Sequence, residues 1–255
     1  MIKSVTVRNI CIGEGRPKVC VPLAGRSEEE ILRQASLIGE YQADLVEFRA
    51  DYWEMTKESQ SRDRILDEIR EKIRDMPLIY TFRSSGEGGE SRISFEEYSN
   101  MLLDVAAKGK ADLIDVEAFM EADETTELIL AIQAYHVPVI ASFHDFEKTP
   151  SQALLIPRMG RMQDMGADIV KVAVMPQSKQ DVFALMEMTE NMVSHFARCP
   201  FVTMSMSPMG LISRLAGEVF GSAITFGSAG VASAPGQIDA ADLRTVLDII
   251  HNNIG

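Results

Sequence analysis

At 255 residues, with 46% hydrophobic and 25% charged side chains, the chain has an ordinary globular composition and is long enough to bury a substantial core. Lys+Arg 25 against Asp+Glu 38 leaves a net charge of −13, which disfavours a nucleic-acid binder working through a broad basic surface. No run approaches the roughly 18 apolar residues of a membrane span, and the first residues lack the basic head and apolar run of an export signal. The three cysteines (Cys11, Cys20, Cys199) form no CxxC pair and read as reduced thiols, so the expected location is cytoplasmic.

In chain order, Val5, Val7 and Ile10 to Ile12, followed by Gly13-Glu14-Gly15, predict a short hairpin within residues 1–17. Short apolar runs then recur at 18–23, 45–49, 78–82, 113–117, 137–143, 169–174, 201–205 and 223–226, starting roughly 29 residues apart. Such continuously apolar runs suit strands buried on both faces, as in a parallel sheet. Helices read between them. Ser27 with Glu30 predicts a capping box ahead of Ile31, Ala35 and Ile38. Ile65, Ile69 and Ile73 make a stripe, as do Leu154, Leu155, Met159 and Met162, where Pro157 predicts a late start or a kink. Leu243, Val246, Leu247 and Ile250 repeat the pattern. Eight strand–helix units in one α/β domain fit a (β/α)8 TIM barrel, with the hairpin closing its bottom; periodicity alone also allows a doubly wound sheet. No internal sequence repeat is expected.

A barrel carries its chemistry at the C-terminal ends of its strands. Polar and sulfur side chains collect there: Glu47, Arg49, Arg83, Asp115, Glu117, His144, Asp145, Lys171, Met204 and Met206. Lys171 stands inside an apolar run. An unpaired buried ammonium tends to lose its proton, which would depress its pKa and make a nucleophile able to form a Schiff base. The alternative is a lysine that snorkels to the rim or pairs with Glu117. His144, on the neighbouring strand, suits proton transfer near neutral pH, whereas His136 at a helix end, His195 and His251 read as structural. Glu87, in a glycine-rich loop, could orient His144; taken alone it reads as a solvated glutamate. Arg49, Arg83 and Arg214 are candidate carboxylate receptors or surface ion-pair partners. Met204 and Met206 share one strand face, lining a pocket or filling core. Residues 227–237 suit a lid, with Ser233 and Gln237 bonding substrate hydroxyls; a phosphorylated ligand is the competing reading. Glu47, Asp115, Glu117 and His144 form a carboxylate-rich set, but a lysine and three arginines beside them oppose a divalent cation, so no metal or cofactor is expected. A class I Schiff-base aldolase and a catalytically inactive metabolite-binding barrel remain rival functions on the same fold.

Several ordered blocks carry a resemblance. They are Thr81-Phe82-Arg83 with Glu87-Gly88-Gly89-Glu90, His144-Asp145-Phe146, Gly166-Ala167-Asp168 with Lys171 to Gln177, Thr203 to Ser207, Ile212 to Glu218, and Ser233 to Gln237. Across essentially its whole length the chain resembles the type I 3-dehydroquinate dehydratases, barrel enzymes of the shikimate pathway. The resemblance implies a Lys171 Schiff base, His144 as general acid and base, and Glu87 holding His144. It further implies that Glu47, Arg49, Arg83, Arg214, Ser233 and Gln237 contact an anionic substrate, 3-dehydroquinate, in a homodimer without a cofactor. Two positions depart from the family pattern: Pro22 stands where a serine is common, and Phe48 where a tryptophan is frequent.

Overall fold

The structure, a computed structural model, describes residues 2–230 and 236–254. A hairpin of β1 (Val5–Val7) and β2 (Ile10–Ile12) precedes eight parallel strands: β3 (Lys18–Leu23), β4 (Leu45–Arg49), β5 (Leu78–Thr81), β6 (Leu113–Glu117), β7 (Val139–Asp145), β8 (Ile169–Val174), β9 (Phe201–Ser205) and β10 (Ile224–Phe226). Between them run α1 (Glu28–Leu37), α2 (Ser59–Ile73), α3 (Phe95–Ala107), α4 (Ala122–Gln133), α5 (Gln152–Asp164), α6 (Lys179–His195), and the short α7 (Leu211–Leu215) and α8 (Gly217–Phe220); α9 (Ala240–His251) closes the chain. The sheet order is β10-β3-β4-β5-β6-β7-β8-β9. A bridge between Phe201 and Ser222 and a bond from Ala223 N to Phe201 O bring the two edges together, so the barrel is nearly closed.

Alternation along the strands sorts side chains into two apolar compartments. Val19, Val46, Tyr80, Ile114, Val170 and Val172 face the helices. Cys20, Leu45, Ile79, Leu113, Ile140, Ile169, Val202 and Ile224 fill the barrel's lower interior. Val7 and Ile12 of the hairpin join that interior cluster, and Lys3 N donates to Arg198 O at 2.9 Å, so the hairpin covers the bottom as the sequence predicts.

The bottom is tied by a tripeptide that recurs every second strand. In Ala43-Asp44-Leu45, Ala111-Asp112-Leu113 and Ala167-Asp168-Ile169, the aspartate lies one residue before its strand. Each carboxylate accepts a backbone N–H from the first or second residue of the preceding strand: Val19 (2.8 Å), Leu78 (2.8 Å) and Val139 (2.9 Å). Those donors would otherwise be orphaned at a strand end.

Other local differences have identifiable causes. The fifth barrel strand starts at Val139 rather than 137, because His136 turns through a left-handed φ of 62° just before Pro138 and lies past the end of α4. At its other end the strand stays paired with β8 through Asp145, so His144 and Asp145 lie inside it. Ser27 accepts from Glu30 N as predicted, but Glu30 Oε2 takes the N–H of Arg26 instead of completing the box. Leu154 is 57% exposed and falls off the α5 stripe, whereas Leu155, Met159 and Met162 are buried. Helix α5 does not start late at Pro157; it begins at Gln152 and runs through the proline. Pro22 faces the barrel interior at the register position of Glu47. There β3 extends past Cys20, its last partner on β10, so the missing N–H breaks no ladder bond.

Candidate active site

Above the apolar floor, the inward positions switch to polar residues. Glu47 on β4, Thr81 on β5, Asp115 on β6, Ser142 on β7 and Lys171 on β8 form one buried layer, each no more than 5% exposed. Register explains the level: Glu47 lies two residues beyond Leu45, Asp115 two beyond Leu113, and Lys171 two beyond Ile169, each on the same face. A cavity of about 190 Å³ opens over this layer. Its wall includes Glu47, Arg49, Arg83, Glu87, His144 and Lys171 from one side, and Met204, Met206, Arg214 and Gln237 from the other. The residues expected to act on or bind substrate thus line one cavity, except Ser233, which lies outside the described residues; Asp115, Glu117 and Asp145, also placed at strand ends by the sequence, do not line it.

The Lys171 ammonium is paired, not isolated. Its Nζ donates to Asp115 Oδ2 at 3.1 Å and Glu47 Oε1 at 3.2 Å, and sits 4.6 Å from the centre of the Phe226 ring. Burial opposes the charge, but Asp115 and Glu47 outweigh it and hold the group above its ordinary value. The expected depression of its pKa is therefore overturned. So is the expected pairing with Glu117: that carboxylate instead accepts from Ser84 N and Oγ, each at 2.7 Å, and from Arg83.

His144 and Glu87 form the second element. Glu87 Oε2 lies 2.9 Å from the Nδ1 of His144 and accepts the His144 backbone N–H at 3.0 Å. One carboxylate oxygen thus fixes both ring and strand, and Glu87 is no solvated loop residue. The hydrogen bond to Nδ1 leaves Nε2 for proton transfer. Burial, reinforced by Arg83 and Lys171, pushes the imidazole well below its ordinary value, so the ring is neutral at physiological pH. Burial pushes Glu87 up to about 8 against the pull of Arg83.

The arginines divide. Arg83 is saturated by protein carboxylates: Asp115 at 2.7 Å, Glu117 at 3.1 Å and Glu87 at 3.3 Å, with Ser142 at 3.0 Å. Arg49 makes a two-point pair with Asp51 at 2.8 and 2.9 Å and lies 4.9 Å from the Tyr52 ring. Both carry ion pairs within the protein while still lining the cavity. Arg214 Nη1 lies 3.7 Å from the Met204 sulfur, and burial lowers the guanidinium to about 10, which leaves it charged at neutral pH.

Sequence reading missed Asp51, which is 3% exposed and also accepts from Arg83 N at 3.3 Å and Glu90 N at 3.3 Å. It missed the roles of Thr81, Ser142 and Phe226 as well. Strand parity would have found the first two, since each lies two residues beyond a buried floor residue.

The loop after β5 depends on glycine. Gly88 has φ +82°, and a Cβ there would lie 2.3 Å from the Phe146 ring, which stacks on His144 at 6.4 Å between centres. Gly88→Ala is expected to cost about 1–3 kcal/mol in backbone strain and to lower kcat by displacing Phe146 and Glu87. Denaturant midpoints and turnover measured together check this; a variant of unchanged stability and rate would show that the loop yields freely.

The comparisons with known proteins agree with this geometry. The family profile for Type I 3-dehydroquinase matches residues 19–254. A 3-dehydroquinate dehydratase from Clostridioides difficile (strain 630) is 45% identical over 254 residues, covering 100% of both chains. A crystal structure of type I 3-dehydroquinate dehydratase from Clostridium difficile with covalently modified comenic acid has a TM-score of 0.95 at 45% identity, covering 99% of each chain. The 3-dehydroquinate dehydratase from Geobacillus kaustophilus HTA426 also reaches 0.95, at 35% identity over 99% of this chain and 98% of that one. A buried lysine, a carboxylate-held histidine and this similarity over the whole barrel lead to one assignment: the chain belongs to the type I 3-dehydroquinase family.

Proposed function

We propose that the protein is a hydro-lyase that dehydrates 3-dehydroquinate to 3-dehydroshikimate in the shikimate pathway, through a Schiff base on Lys171. The observation that carries this reading is the shared cavity wall of Lys171 and the His144–Glu87 pair, in a chain of this family. Nζ first yields a proton, for which Glu47 at 3.2 Å is within reach. The neutral amine adds to the C3 carbonyl, and loss of water from the carbinolamine gives an iminium. His144 takes the C2 proton, and the electron pair moves into the iminium to form an enamine. The enamine expels the C1 hydroxyl, which leaves as water with the proton returned by His144. Hydrolysis of the conjugated iminium consumes one water and restores Lys171, so one water is released overall.

Glu87 positions His144 in this reading. Arg214 faces the substrate carboxylate, Ser233 and Gln237 bond its hydroxyls, and Met204 and Met206 bound the apolar side. Arg49, Arg83 and Glu47 complete the wall. The chemistry needs no cofactor or metal, because the iminium is the electron sink; the carboxylates Glu47, Asp115 and Glu117 are engaged by Lys171 or Arg83. The same reading takes residues 1–255 as one barrel domain with an N-terminal hairpin extension, and the protein as a cytoplasmic homodimer; no described helix is long and apolar enough to cross a membrane.

Sodium borohydride treatment with 3-dehydroquinate, followed by intact-protein mass and peptide mapping, tests the reading. A stable adduct on Lys171 is expected. An active protein that yields no adduct would overturn the iminium mechanism. An adduct and turnover only with phosphorylated sugars would favour an aldolase.

A further inference from the structure

We propose that Asp115 is the fixed counter-ion of the Lys171 nitrogen throughout the reaction, holding Nζ toward the cavity and keeping the imine protonated. The proposal rests on the Schiff-base reading above. Two carboxylates touch Nζ, and their surroundings differ. Glu47 is part of the cavity wall, and its Oε1 also accepts from Thr81 Oγ1 at 2.9 Å. It can change partners when substrate enters. Asp115 is 1% exposed and lies beneath that wall rather than on it. Its Oδ1 is held by Arg83 Nη2 at 2.7 Å and Ser142 Oγ at 2.6 Å, which leaves Oδ2 directed at Nζ, 3.1 Å away. Asp115 thus contacts the reacting nitrogen from the side away from substrate.

The chemistry gives that contact a role. The nitrogen is cationic as ammonium, neutral as the attacking amine, and cationic again as iminium. Only the cationic iminium strongly acidifies the C2 proton; a neutral imine is a poor electron sink. A buried anion at hydrogen-bond distance from the nitrogen favours its charged states. The surrounding groups are Glu47 and Arg49 from β4, Arg83 after β5, Asp115 on β6, His144 on β7 and the buried Cys20 thiol on β3, with the Phe226 ring on β10. Within this set, burial works against the Asp115 charge, but Arg83 and Lys171 outweigh it and hold the carboxyl below its ordinary value.

Asp115→Asn keeps the size and the acceptor oxygen and removes the charge. The variant is expected to lose at least about thirtyfold in kcat while still forming the borohydride-trapped adduct on Lys171. The pH midpoint of trapping should fall by about one unit or more, because the ammonium loses an opposite charge. A purely structural role would reduce the yield of folded protein without moving that midpoint. Asp115→Glu retains the charge and should keep the wild-type midpoint even where displacement lowers kcat. If the asparagine variant does not fold, the glutamate variant decides: an unchanged midpoint supports the proposal, and an acid-shifted one overturns it. A folded Asp115→Asn variant with the wild-type midpoint also overturns it. Absence of an adduct on active wild-type protein is a separate result and removes the Schiff-base reading itself.

Discussion

Lys171→Ala is expected to reduce dehydration on the order of 10⁵-fold or more and to leave no borohydride adduct. The large factor follows from losing the electron sink itself: without an iminium the C2 proton is only an ordinary α-proton, and little of the enzyme's total acceleration, which starts at about 10⁶ for typical enzymes, survives. The same substitution strikes the fold. Glu47 and Asp115, 4% and 1% exposed, lose the cation they share. Breaking a buried pair from one side costs about 3–5 kcal/mol, reduced here because Asp115 keeps Arg83.

The pH dependence has a definite sign. In wild type the Asp115 carboxyl lies below its ordinary value, so its stabilisation is present above that value and is lost as pH falls through the folded one. In Lys171→Ala, two carboxylates face each other without their shared ammonium, and one is pushed above its unfolded value. Its contribution is then present at acid pH and lost as pH rises. The stability deficit relative to wild type is therefore larger at pH 8 than at pH 5. Urea midpoints at the two pH values check this. A deficit independent of pH would mean that the carboxylates separate or hydrate once the lysine is gone.

This coupling shows where sequence reading stops. The barrel was legible because each strand is a short apolar run at a regular interval, and seven of the eight barrel strands have the expected limits or differ from them by one residue at most; the exception is β7, displaced by the left-handed turn at His136. The convergence of Glu47, Arg83, His144 and Lys171 was legible from strand ends alone, since a barrel gathers them on one rim. The charge state of Lys171 was not. Its two anionic partners lie 124 and 56 residues away in the chain. An isolated lysine in an apolar run and a lysine neutralised by other strands read alike, and they shift pKa in opposite directions. The ion pairs of Arg83 were hidden for the same reason: its three carboxylates come from its own loop and from β6. Asp115 and the aspartates of the floor were accessible to pattern. Asp115 shares parity with Leu113 and Glu117, and the Ala-Asp-Leu/Ile tripeptide repeats openly, but it spans too few residues to register as a repeat until its bonding is seen.

His144→Ala separates proton transfer from covalent attachment. Lys171 keeps Asp115 and Glu47 as neighbours in this variant, so the amine still condenses with the C3 carbonyl and borohydride still traps an adduct. The C2 proton, however, has no acceptor at the place where His144 stands. Turnover is expected to fall by about 10²–10⁴-fold, the usual worth of a positioned acid–base group. The trapped species should retain the mass of the undehydrated substrate, one water heavier than the adduct formed from product. Stability should respond as well. Burial, with Arg83 and Lys171, holds the wild-type imidazole below 6.5, so its contribution is present above that pH and is lost as pH falls through the folded value. Removing the ring removes this acid sensitivity, and the variant should lose less stability than wild type between pH 7 and pH 5. Lys171→Ala and His144→Ala thus fail at different points, the first without an adduct and the second with the wrong one. A His144→Ala protein that accumulates the dehydrated adduct at the wild-type rate would mean that another group, with Glu87 the nearest carboxylate, moves the proton.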